Sequence, residues 1–218
     1  MGESIKRIVG PYQDSYSPNG IIGEKDACGV GFIANIKGVE SNWILKQSLK
    51  GLNCMEHRGG CGGDSDSGDG AGILCSIPWG YLEDEINLKN TQEFNRGLGM
   101  VFMPNKKEKI EVCKSICDQE AEKLKVNKTS WRKVPVNNEI LGPLAKANAP
   151  FICQWILYID KQDHPDVERL LFQLRKRIEK KIRETFKNDV GDCEFYFASL
   201  SSQTVVYKGM VRSEILSE

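Results

Sequence analysis

The stretch that decides the fold runs from Phe151 to Gly209 and reads FICQWILYI (151–159), DVERLLFQLRKRIEKKIRETF (166–186), EFYFASL (194–200) and QTVVYKG (203–209). The first run is apolar and β-branched over strand length. The second reads as a helix, and Pro165 is expected at its N1 position. The last two are short β-type runs either side of Ser201-Ser202, which predicts that they pair as a hairpin. A hairpin and long polar connections break a strict β-α-β-α rhythm. The fold class expected is therefore layered α+β, not a doubly wound parallel sheet.

Working outward, LGMVFM (98–103) reads as a strand before Pro104, and KKEKIEVCKSICDQEAEKLK (106–125) as an amphipathic helix with Ile110, Cys113, Cys117, Ala121 and Leu124 inward. AGILCSI (71–77) is an apolar strand stopped by Pro78. Ser41 is an N-cap for a helix that carries Ile44, Leu45, Ser48, Leu49, Leu52 and Met55 on one face and ends at Gly59; Cys54 is expected on an apolar face. VGFIANI (30–36) reads as a strand, and VRSEILSE (211–218) as the opening of a helix cut off before a C-cap, as in a fragment of a longer protein. Residues 161–187 hold more bases than acids and read as a solvated helix face laced with i,i+4 pairs.

The 218 residues carry 30 basic and 30 acidic side chains, so net charge draws no polyanion. Nucleic acid and membrane are not expected partners, and no apolar run approaches the ~20 residues that span a bilayer. Eight cysteines without a Cys-x-x-Cys pair, with only His57 and His164 beside them, argue for reduced thiols over a zinc site or a disulfide scaffold. Residues 1–27, rich in Gly, Pro, Ser and Asn, read as a leader.

Three phosphate or metal motifs fail on inspection. Gly29-Val-Gly31-Phe-Ile-Ala34 lacks a preceding strand and a following helix. Gly63 and Gly68 have P-loop spacing, but Asp69-Gly70 stand where Lys and Ser or Thr belong. Asp64, Asp66 and Asp69 imitate a calcium loop whose twelfth position is Cys75 instead of a glutamate. The remaining candidate is Cys28, at the boundary of leader and domain. Removal of Met1–Ala27 gives it a free α-amine with a pKa of roughly 8, able to take the thiol proton. From pattern alone, a buried structural cysteine is the other reading.

The string DACGVGFIAN (26–35), a helix, then CMEHRGGCGGDSDSGDGAGIL (54–74) and IPW (77–79) resembles the start of the glutaminase domain of glutamate synthases. These are class II glutamine amidotransferases of the N-terminal-nucleophile hydrolase family, and the ferredoxin-dependent, cyanobacterial and plastid type is the nearest in pattern. The resemblance implies a four-layer αββα fold, incomplete at the C-terminus, with residues 1–27 a propeptide and 28–218 the amino-terminal portion of the glutaminase domain. It implies that Cys28 attacks glutamine to give a thioester and ammonia, the ammonia then serving 2-oxoglutarate in later domains. Arg58 matches an arginine that orders the site; a structural residue pairing with Asp64, Asp66 and Asp69 is the alternative. The resemblance puts the carboxylate-clamping arginine and the Asn-Gly oxyanion pair beyond Glu218, so this stretch alone is expected to be inactive. FMN, an iron–sulfur cluster and ferredoxin are implied for the whole enzyme, in cytoplasm or plastid stroma. A non-catalytic, truncated module acting in interaction or regulation is the second expectation.

Overall fold

Two ten-residue antiparallel strands, Phe94–Met103 (β2) and Phe151–Asp160 (β4), form the spine of the protein in a computed structural model that describes residues 29–55, 67–68, 70–85, 94–126, 128–187 and 194–217. In chain order the other elements are Asn42–Cys54 (α1), Ala71–Ser76 (β1), Trp79–Glu85 (α2), Lys107–Lys123 (α3), Lys128–Lys133 (β3), Pro143–Ala147 (α4), Val167–Thr185 (α5), Tyr196–Ser201 (β5) and Thr204–Gly209 (β6). Short 3₁₀ turns lie at Asn138–Ile140 and Ser213–Ser217. One sheet has the order β3-β4-β2-β5 and the other pairs β1 with β6; every ladder is antiparallel. The expected α+β class is what forms.

Strand alternation divides the spine between two cores. Val101 and Met103 of β2, with Cys153, Trp155, Leu157 and Ile159 of β4, face the apolar stripes of α3 and α5. Leu98, Met100 and Phe102 of β2, with Ile156 and Tyr158 of β4, face the β1–β6 ladder through Val205, Cys75 and Tyr207, and α2 through Leu82. Both faces of the four-stranded sheet are therefore covered, by a helical layer on one side and a second sheet on the other. Gly97 lets α5 come close: a Cβ there would lie 2.9 Å from a Leu171 methyl. Helix α1 touches β1 and the C-terminal 3₁₀ turn.

Several expectations need correction. VGFIANI forms no strand: among the described residues nothing pairs with it, and Val30, Phe32 and Ile36 stand in solvent. The described helix after Ser41 ends at Cys54, short of Gly59, and Cys54 is exposed. Pro165 precedes the N-cap of α5; Asp166 is the cap, its carboxylate accepting from Arg169 N–H at 3.0 Å. The segment after β6 closes as a 3₁₀ turn, not an α-helix.

The largest difference is at Ser201-Ser202. β5 and β6 do not pair with one another; β5 joins β2 and β6 joins β1, so the turn is a corner between sheets. One Glu168 oxygen makes that corner, accepting from Ser201 Oγ (3.0 Å), Ser202 N–H (2.6 Å) and Ser202 Oγ (2.7 Å). The ladder of a local hairpin is thereby exchanged for two long-range ones.

Candidate active site

Cys28 and Arg58 lie outside the described residues, as do Cys61, Asp64, Asp66 and Asp69. The frame on either side of them is described. From Gly29 the chain runs without regular structure to a turn closed by Gly38 N–H on Asn35 O (2.9 Å), with the Asn35 side chain accepting from Lys37 N–H (2.8 Å). Ser41 then opens α1, its hydroxyl accepting from Ile44 N–H. Half-buried Ile44, Leu49, Leu52 and Met55 hold the helix in place. A Cβ on Gly31 would meet the Met55 methyl at 3.9 Å. The stretch three residues after Cys28 thus passes the stretch three residues before Arg58.

The far end of the glycine-rich segment is fixed more firmly. Ser67 is only 2% exposed, and its hydroxyl accepts from the Ala145 N–H of α4 at 3.1 Å. Gly68 follows, packed onto the backbone of Val211 and Arg212. Strand β1 then leads away under the second core.

Three described thiols are held in the protonated, poorly nucleophilic form. Burial raises Cys75, helped by the carboxylate of Glu40; burial raises Cys117 well above a free thiol; and burial pushes Cys153 up to about 12. Cys113 and Cys117 are fully buried core filler on α3, as their spacing suggested. Among the described residues no group of three or more Cys, His, Asp or Glu is placed to hold a metal ion. Cys113, Cys117 and Cys153 lie in the apolar core between the four-stranded sheet and helices α3 and α5. The charged face of α5 is solvated and internally paired, Arg175 and Lys176 with Glu179 and Lys180 with Glu184.

The family described as "Glutamine amidotransferases class-II" matches residues 28–218, beginning at Cys28. The chain belongs to the class II glutamine amidotransferases. This amidotransferase chain is 42% identical over 212 residues to the ferredoxin-dependent glutamate synthase, chloroplastic, of Oryza sativa subsp. japonica, covering 95% of this chain and 13% of the relative. It is 42% identical over 202 residues to ferredoxin-dependent glutamate synthase 2 of Synechocystis sp., covering 91% and 12%. Against ferredoxin-dependent glutamate synthase 1, chloroplastic/mitochondrial, of Arabidopsis thaliana, identity is 42% over 200 residues, covering 90% and 12%. The amidotransferase chain therefore spans about an eighth of the length of these relatives. Among its described residues no helix is long and apolar enough to cross a membrane.

Reading the sequence missed Ser67 as a residue of this region. The serine stands between aspartates and glycines that favour any turn, and its acceptor role depends on α4, 78 residues on. A faint signal existed in α4 itself: Gly142-Pro143 starts a helix with no capping side chain, which leaves its first N–H groups looking for an acceptor elsewhere.

Proposed function

We propose that this chain is the amino-terminal part of the glutaminase domain of a ferredoxin-dependent glutamate synthase, with Cys28 as nucleophile once residues 1–27 are removed. The observation that carries this reading is the family match that begins at Cys28, the residue whose α-amine becomes free on cleavage. The free amine takes the Cys28 thiol proton, and the sulfur attacks the side-chain carboxamide carbon of glutamine. The C–N bond breaks, the proton passes to the leaving nitrogen, and ammonia departs from a γ-glutamyl thioester. Water then cleaves the C–S bond to give glutamate and restores the thiol. Arg58 orders the site, and the passage of Gly31 beside Met55 supports bringing the two segments together.

The four-layer arrangement is part of the same proposal. Helices α3 and α5 packed on one face of the four-stranded sheet, the β1–β6 ladder packed on its other face and the contact of α1 with β1 support the order αββα. The relatives' names support ferredoxin as electron donor and a plastid or cyanobacterial setting. FMN, the iron–sulfur cluster and the use of ammonia on 2-oxoglutarate belong to the remainder of such an enzyme.

The test is on the full-length enzyme. Amino-terminal sequencing should begin Cys-Gly-Val-Gly, and a diazo-ketone analogue of glutamine should label Cys28 and not Cys61. Cys28→Ser should abolish glutamine hydrolysis while ammonia-dependent glutamate formation survives. An enzyme fully active with Met1 in place, or a label on Cys61, overturns the assignment.

A further inference from the structure

We infer that Ser67 and Gly68 are positioning residues: they pin the C-terminal end of the segment carrying Arg58 to α4 and to the chain leaving β6. The inference rests on the proposed role of Arg58 and goes beyond it by naming what holds that segment.

Three observations converge on the joint. The first is the cap. Helix α4 begins at Gly142, which makes no side-chain bond, and Pro143, which has no N–H. Ala145 N–H stands where an N-cap side chain would ordinarily bond, and Ser67 supplies the oxygen from across the fold. Both residues are buried, so losing the hydroxyl leaves a donor with no water to turn to.

The second is shape. A Cβ at Gly68 would lie 2.5 Å from Arg212 N and Val211 C and 2.6 Å from Val211 O. These are backbone atoms just beyond β6 and cannot swing away. Any other residue at 68 must push the two chains apart. A hydrogen bond to α4 and a close contact with the backbone of Val211 and Arg212 thus act on consecutive residues.

The third is polar capacity at the same place. Arg212 Nε and Ser213 Oγ, adjoining the Gly68 contact, are buried atoms without a hydrogen-bond partner. Buried polar atoms in native proteins are usually satisfied, so each of the two has hydrogen-bonding capacity that the described residues do not use. Eleven residues separate Ser67 from Met55, and Arg58 is among the first three of them. The two described ends of that stretch are both anchored, at Met55 by α1 and at Ser67 by α4.

The experiment uses Ser67→Ala and Gly68→Ala in the full-length enzyme, with two readouts. Amide exchange should quicken over residues 56–68 in both variants while β2 and β4 stay as protected as in the parent. The kcat for glutamine hydrolysis should fall at least about tenfold with KM within about threefold, since misplacing a catalytic segment by about 1 Å costs up to about 10²-fold in rate. Exchange that rises evenly over the domain, or a kcat equal to the parent's, overturns the inference. Should the parent enzyme not hydrolyse glutamine, the proposed function fails and the exchange readout alone judges the joint. Unchanged exchange over 56–68 then overturns it, and local quickening sustains it.

Discussion

Asp118 binds three partners from two strands, and it shows what one residue settles in this fold. Its carboxylate, on α3, accepts from Thr129 Oγ1 (2.8 Å) and from the indole N–H of Trp131 (3.1 Å) on β3, and from the indole N–H of Trp155 (3.1 Å) on β4. The two indoles stack with centroids 5.3 Å apart, and Trp155 is fully buried. Asp118→Ala leaves Trp155 a donor without an acceptor inside the protein. A loss of about 1–3 kcal/mol follows from the usual cost of orphaned buried donors. It should appear as a lower urea midpoint at unchanged slope, with altered tryptophan emission; a change under about 0.5 kcal/mol would sink the account. Residues of this kind were not legible beforehand. Helical spacing placed Cys113 and Cys117 inside because burial follows a local period. The partners of Asp118 and Ser67 lie on other elements, and no local pattern names them. Cys54 failed for a related reason, since helix α1 is only half-covered and its last turn stands clear.

Between elements, the chief electrostatic tie joins α3 to α5. Glu120 is 5% exposed and bonds Lys123 on its own helix and Arg177 Nε (2.8 Å) on the other. The bond from Lys123, more than that from Arg177, holds its carboxyl below the usual range against the opposing effect of burial. A lowered folded value means that the unfolded chain takes up the proton first as pH falls. The stabilisation is therefore complete above the ordinary glutamate pKa of about 4.3 and is lost as pH drops through the folded value. Glu120→Gln should lower the thermal midpoint at pH 7, and the gap to the parent should shrink steadily towards pH 3. A gap that stays constant over that range would assign the effect to packing instead. Elements with their own apolar period (α1, α3, α5, β1, β2 and β4) were legible. Strand β3, KTSWRK, was not, because an edge strand needs few apolar residues and offers Trp131 as its main signal. The β5–β6 corner was read as a hairpin because turn chemistry announces a reversal without saying which ladder each arm joins.

At the scale of the whole molecule, the layers bury their facing surfaces well, while several large apolar groups stay in water. The α+β class was legible from the mixture of strand and helix periods. Cys28 and Arg58 were named through the family resemblance, since a glycine-rich segment has no period to read. Val30, Phe32 and Ile36, at 90%, 94% and 103% exposure, follow directly after Cys28, with Trp43 (65%) at the start of α1 and Leu74 (63%) on β1. A monomer seldom leaves so many large apolar groups close in sequence uncovered. The 218-residue chain on its own should therefore self-associate. Sedimentation velocity should show a concentration-dependent rise in mass, and a hydrophobic dye should bind under native conditions. The double substitution Phe32→Ser/Ile36→Ser tests where this arises. Because both side chains make little contact within the described chain, removing them should weaken association and dye binding at a stability cost within about 0.5 kcal/mol, as for ordinary surface changes. A double variant that associates as strongly as the parent would move the sticky surface elsewhere. One that unfolds several degrees earlier would mean that these side chains are packed in solution, and that VGFIANI is a buried element after all.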